Sequence, residues 1–194
     1  LRVLLYKGGF FKEITALKMF LNSFIMATGV ALLSVVTSLM AAYALVYYRT
    51  KYATFLFWLI FITILVPLEL RIFPTYSVMA KLNLVNSYFG LIVPISASAI
   101  ATLFFRQFYK TVPDELLESA KLDGASTWRF FIDFLVPLSK TMIVAMLIFM
   151  FVFGYNQYLW PLLVTSSEQY WTVVMGLKMM SGSIVHRFAF VMMS

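Results

Sequence analysis

Four stretches of the chain carry no charged residue: 19–48, 52–68, 82–105 and 141–167. Apolar side chains run through each without the alternation of a half-buried strand and without the polar face of a surface helix. A helix needs roughly 20 apolar residues to cross the hydrocarbon of a bilayer, so the pattern predicts four spanning helices. The second stretch is short and continues through Leu70 and Ile72, with Glu69 and Arg71 snorkelling at its end. A closed barrel is the other architecture lipid permits, and its strands would alternate as these runs do not.

Finer features divide the spans. The first, from Phe20 to Tyr48, carries Ser34, Ser38 and Ala42 at four-residue steps, a stripe of small side chains that lets a second helix approach closely. Tyr43, Tyr47 and Tyr48 read as an aromatic belt at its end. Arg49, Thr50 and Lys51 make a tight connection, so spans one and two are antiparallel. Pro67 and Pro74 bracket a break, and Asn83–Gly90 reads as a loop. Span three runs from near Gly90 to near Phe105, with Pro94 in its first turns, where a missing N–H costs least. Span four, from Thr141 to about Thr165, contains Gly154 and Pro161 and is expected to kink or unwind in its outer half. Residues 1–18 alternate Arg2, Lys7, Lys12 and Lys18 with Phe and Leu, the pattern of an interfacial segment.

Composition agrees. The 194 residues are 62% hydrophobic and 12% charged, half the charge of an average soluble domain at about 25%, and the mean hydropathy is +0.91. The fold class expected is an all-α polytopic membrane bundle, a single domain over 1–194. The absence of cysteine excludes disulfides and thiolate metal sites, and His186 is the one histidine. The net charge of +7 comes from bases scattered at span ends, as anionic lipid favours, and does not call for nucleic acid. Alternation puts seven Lys and Arg on one side and eight on the other, so the positive-inside rule gives no orientation. The start at Leu1 and the apolar "RFAFVMMS" at the end lead us to expect a chain incomplete at both ends, with six spans in the whole.

Between spans three and four lies a polar island. Thr111–Lys140 holds eight of the 23 charged residues. Thr111 is expected to cap a short helix, with Pro113 in its first turn and Asp114 and Glu115 facing its positive end. Gly124 suits a left-handed stop, and Ser126 a second cap, ahead of Trp128, Phe130, Phe131 and Phe134. Five acids and five bases balance over 106–140, which suits a few oriented ion pairs on a protein surface better than a grip on phosphate backbones. An ordinary solvated loop is the other reading of such a charge run.

The stretch "ESAKLDGASTWRFFIDFLVP" resembles the cytoplasmic signature of the transmembrane subunits of binding-protein-dependent ABC importers. Glu118, Ala120, Gly124 and Pro137 match it at the family's spacing. Ser119 stands for an Ala, and Phe134 and Val136 for Ile and Leu. The resemblance implies a type I importer permease fold, with a cytoplasmic coupling helix in loop 106–140 seated on a separate ATPase. Glu118, Ser119, Ala120, Asp123, Gly124 and Pro137 are then the coupling residues. It further implies a second, homologous permease subunit, two ATP-binding-cassette subunits that use ATP and Mg, an extracytoplasmic substrate-binding protein, and residence in a bacterial inner membrane. No cofactor is expected on this chain itself. "RIFPT", "FRQFY", "PDELLESAKLDGAS" and "NQYLWPLL" resemble the glycerol-3-phosphate branch of the family. Sugar-importing relatives more often carry an acid where this chain has Gln157, and a neutral amide there avoids repelling a phosphorylated substrate. A neutral sugar or polyol is the alternative cargo.

For the substrate path the candidates are Asn156, Gln157, Tyr158 and Trp160, beside Gly154 and Pro161, with Arg71 at the outer mouth. Each has a plainer reading: the amides as hydrogen-bonding glue for an interrupted span, Arg71 as an interfacial anchor beside Glu69. An ion-coupled transporter usually places carboxylates within the membrane, and 20–68, 82–105 and 141–167 contain none. The sequence has neither a phosphate-cradling Gly loop nor a Ser/His/Asp set, so ATP hydrolysis must come from a partner.

Overall fold

The computed structural model describes residues 16–48 and 51–179, and of Leu68 and Glu69 only the backbone. The basic segment up to residue 15, the connection at Arg49 and Thr50, and His186 and Arg187 lie outside the described residues. The described elements are helical: α1 (Ala16–Tyr47), α2 (Ala53–Leu65), α3 (Leu68–Lys81), α4 (Tyr88–Ile92), α5 (Ala99–Tyr109), α6 (Asp114–Leu122), α7 (Thr127–Phe130), α8 (Val136–Leu138), α9 (Lys140–Tyr155) and α10 (Leu159–Val164), then α11 over 173–179. Among them α1 alone is long and apolar enough to cross a bilayer unaided. Counting each broken helix pair as one crossing gives up to four by length and composition, but the last such pair joins residues 127–138 to α9, where the sequence led us to expect the span to continue from α9 through α10.

The breaks have local causes. Val66 is extended (φ −85°, ψ 113°), as the residue before a proline is pushed to be, so α2 stops at Pro67. Pro74 does not close the break as expected: it lies inside α3. The loop after α3 turns at Asn83 and Asn86, both with positive φ, and ends earlier than predicted, because the Ser87 hydroxyl accepts from Gly90 N (3.0 Å) and starts α4 at Tyr88. Span three is therefore two helices, separated by Ser96–Ser98.

The contacts divide the chain into two compact units. One comprises the first half of α1, residues 71–95, and 151 onward. Here the approach of helices is close enough that a Cβ on Gly154 would come within 3.1 Å of the Ala27 Cα, and one on Gly29 within 2.6 Å of Ile92. The Asn86 side chain clamps the 165–167 turn, accepting from Ser166 N (2.7 Å) and Ser167 N (3.0 Å) and donating to the Ser166 hydroxyl (2.9 Å). Tyr88 donates to buried Asn22, which donates to the carbonyls of Gln169 and Trp171.

The second unit holds residues 31–70 and 96–150, with a core of Val35, Leu39, Tyr43, Phe105, Tyr109 and Phe130 among others. The predicted small-residue stripe is buried here. The Ser34 hydroxyl donates to Ser96 O (2.6 Å) and that of Ser38 to Ser98 O (3.2 Å), the latter a carbonyl that Thr102 N also reaches (3.1 Å), so the stripe both admits a close neighbour and ties it down at the break before α5.

Candidate functional site

The polar island folds as the two short helices expected, with one shift at its start. Pro113, not Thr111, is the N-cap of α6 (φ −60°, ψ 138°). The Thr111 hydroxyl instead donates to Phe108 O at the end of α5 (2.7 Å). Asp114 and Glu115 lie in the first turn of α6, where the helix dipole favours acids. Gly124 has φ +76°. Gly124 N donates to Lys121 O (3.0 Å) and Ala125 N to Ala120 O (2.9 Å), the paired bonds of a Schellman stop. Ser126 then caps α7 by accepting from Arg129 N (3.2 Å).

Beyond α7 the helix widens into a π turn over Phe131–Leu135 before α8. Pro137, exposed in α8, supplies the reason. A proline inside a helix lacks the N–H for the carbonyl four residues back and its ring collides with that carbonyl, here Asp133, so widening the preceding turn relieves the clash. Ser139 ends the run by donating its hydroxyl to Leu135 O (2.6 Å), and α9 leaves at 75°.

The underside of this hairpin is anchored. Ala120, Phe130, Phe131 and Leu135 are buried in the core, Tyr43 donates to Thr127 O (2.5 Å), and the Tyr43 and Phe131 rings lie 4.7 Å apart. Tyr47 stacks edge-on against Phe130 (5.5 Å). Tyr43 and Tyr47, expected at a lipid interface, thus bind the hairpin to the end of α1. Only Tyr48, half exposed, keeps the position of a belt residue. Sequence alone showed three tyrosines at a span end. The contact between residues 43 and 127 is what it did not hold.

The outer face is free. Glu118, Ser119, Asp123 and Gly124 are exposed. Leu122, between them, is 89% exposed, and Leu116 and Trp128 are each about half exposed. Arg129 and Asp133 pair at 3.2 Å on the same hairpin. An apolar knob flanked by exposed charges of both signs, Glu118, Lys121 and Asp123, and held on an anchored pair of helices has the chemistry of a docking face. Of the coupling candidates, Ala120 alone points inward.

The candidates for the substrate path separate. Asn156, Gln157 and Tyr158 form the break between α9 and α10. Asn156 is exposed and its Nδ2 donates back to Val152 O (2.9 Å), a carbonyl its own backbone N also reaches (3.1 Å), so the side chain reinforces the end of α9. Gln157 and Tyr158 are half-buried. Trp160 is buried, and its Nε1–H is shared between the carbonyls of Gly90 (3.1 Å) and Leu91 (3.2 Å), which is a packing role. Arg71 is exposed on α3. Among the described residues no group of three acids or histidines is placed to hold a metal.

Residues 34–193 match the family described as "Binding-protein-dependent transport system inner membrane component". The chain is 51% identical over 162 residues to the "sn-glycerol-3-phosphate transport system permease protein UgpE" of Yersinia pestis bv. Antiqua, covering 84% of this chain and 58% of that protein. It is 49% identical over 165 residues to the protein of the same name from Pectobacterium atrosepticum, covering 85% and 59%. The chain thus spans somewhat over half the length of these relatives. The fold is similar to one chain of a bacterial ABC transporter involved in the import of the acidic polysaccharide alginate, with a TM-score of 0.73 at 19% identity, over 79% of this chain and 54% of that one.

Proposed function

The chain belongs to the binding-protein-dependent transport system inner membrane component family, and from that premise we propose that it forms part of the translocation path of an ABC importer for glycerol 3-phosphate. Its helices cross the inner membrane beside a second, homologous permease. Two ATP-binding-cassette subunits, which use the ATP and Mg, dock on the hairpin of α6 to α8, and an extracytoplasmic binding protein delivers the cargo. The observation that carries this reading is the exposed Leu122, with Glu118, Lys121 and Asp123 exposed beside it, on a hairpin anchored from beneath by Tyr43, Phe130 and Phe131. A force applied there moves the ends of α1, α5 and α9 together, because the hairpin shares their core.

Within the hairpin, Glu118 accepts from a basic side chain of the ATPase, Leu122 fills an apolar hollow in it, and Gly124 sets the angle between the two helices. Ser119 and Ala120 keep α6 thin enough for close approach on both faces. Asp123 adds charge at the turn, and Pro137 shapes the widened helix behind it. Gln157 and Tyr158 face the cargo. Asn156 and Trp160 hold the shape of the break that presents them, and Arg71 draws the phosphate toward the outer mouth.

The test is uptake by the full-length protein in its assembled importer, reconstituted in vesicles. Import of glycerol 3-phosphate that requires ATP and survives collapse of ion gradients is expected. Import driven by an ion gradient would overturn the ABC reading. ATP-driven import of a neutral sugar, with glycerol 3-phosphate ignored, would overturn the cargo alone.

A further inference from the structure

Helix α2 has no buried residue. Phe55, Trp58, Leu59, Ile62 and Leu65 are each at least half exposed, so its position depends on the neighbour that holds it, and within its unit it packs chiefly against α5. At that contact the Arg106 guanidinium carbon lies 3.8 Å from the centre of the Phe57 ring, well inside the roughly 6 Å reach of a cation–π interaction. The Phe57 ring is itself steadied by Trp58 (5.7 Å) and Phe61 (6.0 Å). Arg106 Nε is buried without a hydrogen-bond partner. A buried, unpaired N–H on a cation is unfavourable, and the electron-rich ring face is what offsets it here.

The position of this contact matters. Arg106 lies in the last turn of α5, and only residues 110–113 separate α5 from α6. Tyr109, the last residue of α5, shares a core with Ala120 and Phe130 of the hairpin. We infer that Arg106 and Phe57 are positioning residues that carry movement of the hairpin into α2, a helix that otherwise has little to make it follow. This rests on the hairpin being the element the ATPase moves. A flat guanidinium covers a ring face as an ammonium does not, so Lys replaces Arg106 only in part, whereas Tyr keeps the ring of Phe57 and Leu removes it.

The experiment uses the assembled importer with one spin label, on Leu59→Cys; these 194 residues contain no cysteine, and any cysteine elsewhere in the full-length protein or its partners is first replaced. In the parent and in Phe57→Tyr, a non-hydrolysable ATP analogue is expected to change the label's spectrum. In Phe57→Leu and Arg106→Met that response disappears, and the ATP hydrolysed per glycerol 3-phosphate imported rises roughly two- to thirtyfold, the range such a contact supports. Arg106→Lys falls between. Unfolding temperature and membrane content, unchanged between Phe57→Tyr and Phe57→Leu, separate transmission from simple destabilisation. An unchanged response and ratio in Phe57→Leu and Arg106→Met overturns the inference, as does a parent whose α2 label ignores the analogue while ATP still drives import. A parent that imports nothing with ATP overturns the functional reading and this inference together.

Discussion

Gly124 offers a clean separation of backbone strain from steric crowding. Its φ is +76°, and a Cβ built there has no heavy atom within 4 Å. Gly124→Ala therefore meets no clash, and its whole cost is the left-handed conformation, about 1–2 kcal/mol for an L-residue. That corresponds to a roughly five- to thirtyfold rise in the population of hairpins that have lost the angle between α6 and α7. Gly124→Asn costs less, because Asn tolerates this region. Gly124→Pro is of another kind. Proline fixes φ near −65°, incompatible with the observed +76°, and removes the N–H that donates to Lys121 O at 3.0 Å. The stop cannot form, and Ser126 no longer starts α7 where Tyr43 can reach Thr127.

On the proposed function, which puts the hairpin outside the spans, all three variants should insert into membranes in parental amounts. Transport per ATP in the reconstituted importer should fall in the order Asn, Ala, Pro, with Ala mildly uncoupled and Pro hydrolysing ATP without import. The assays are membrane content, ATPase rate and uptake, measured on one preparation. A Pro variant that imports with parental coupling would refute the role given to this turn, and an Ala variant as damaged as Pro would refute the attribution of its cost to backbone strain alone.

Other positions give sharper tests of the packing. Gly90→Ala puts a Cβ 2.1 Å from the backbone oxygen of Leu84, which cannot yield as a side chain would, so a loss of about 3 kcal/mol or more is expected in thermal unfolding. Trp160→Phe shrinks a fully buried ring as well as leaving two carbonyls without their donor, at about 2–4 kcal/mol in the same assay. Asn86→Ala gives up its side-chain bonds to Ser166 and Ser167 and keeps a φ of 58°, for about 2–3 kcal/mol. Glu118→Lys, on an exposed site, should change stability by no more than about 0.5 kcal/mol, yet abolish cross-linking of the hairpin to the ATPase and uncouple transport.

What the sequence made legible follows the range of the forces involved. Lipid demands length and apolarity, which a count reveals, so the uncharged runs that become the long apolar helices could be read directly, though not where each one breaks. The left-handed stop at Gly124 and the cap at Ser126 depend on neighbours within five residues, and both form as expected. The cap of α6 fell two residues from its predicted place because the Thr111 hydroxyl has a competing acceptor in Phe108 O, one turn back on α5. Tyr43 and Tyr47 were misplaced for a deeper reason. A tyrosine at a span end suits a headgroup layer and a protein core equally well, and only the return of residue 127, 84 positions later, decides between them. The π turn was equally hidden, although Pro137, which causes it, was in plain view.

Polar residues within the spans point to a common rule. Ser34 and Ser38 donate to carbonyls at the break before α5, Asn156 to one at the end of α9, and Trp160 to two on α4. In hydrocarbon a freed backbone group has no water to turn to, so each interruption must be met by a side chain or by a neighbouring helix. These four residues are committed to the backbone, and a polar residue in a broken span is therefore a weak sign of cargo contact until its own hydrogen bonds have been counted. By that measure Gln157, whose side chain bears no such commitment among the described hydrogen bonds, is the candidate to which a path role is best assigned, whereas the Tyr158 ring already lies 5.7 Å from the Lys178 ammonium. Substitution there should alter cargo affinity without lowering the unfolding temperature, whereas the same change at Trp160 should do the reverse.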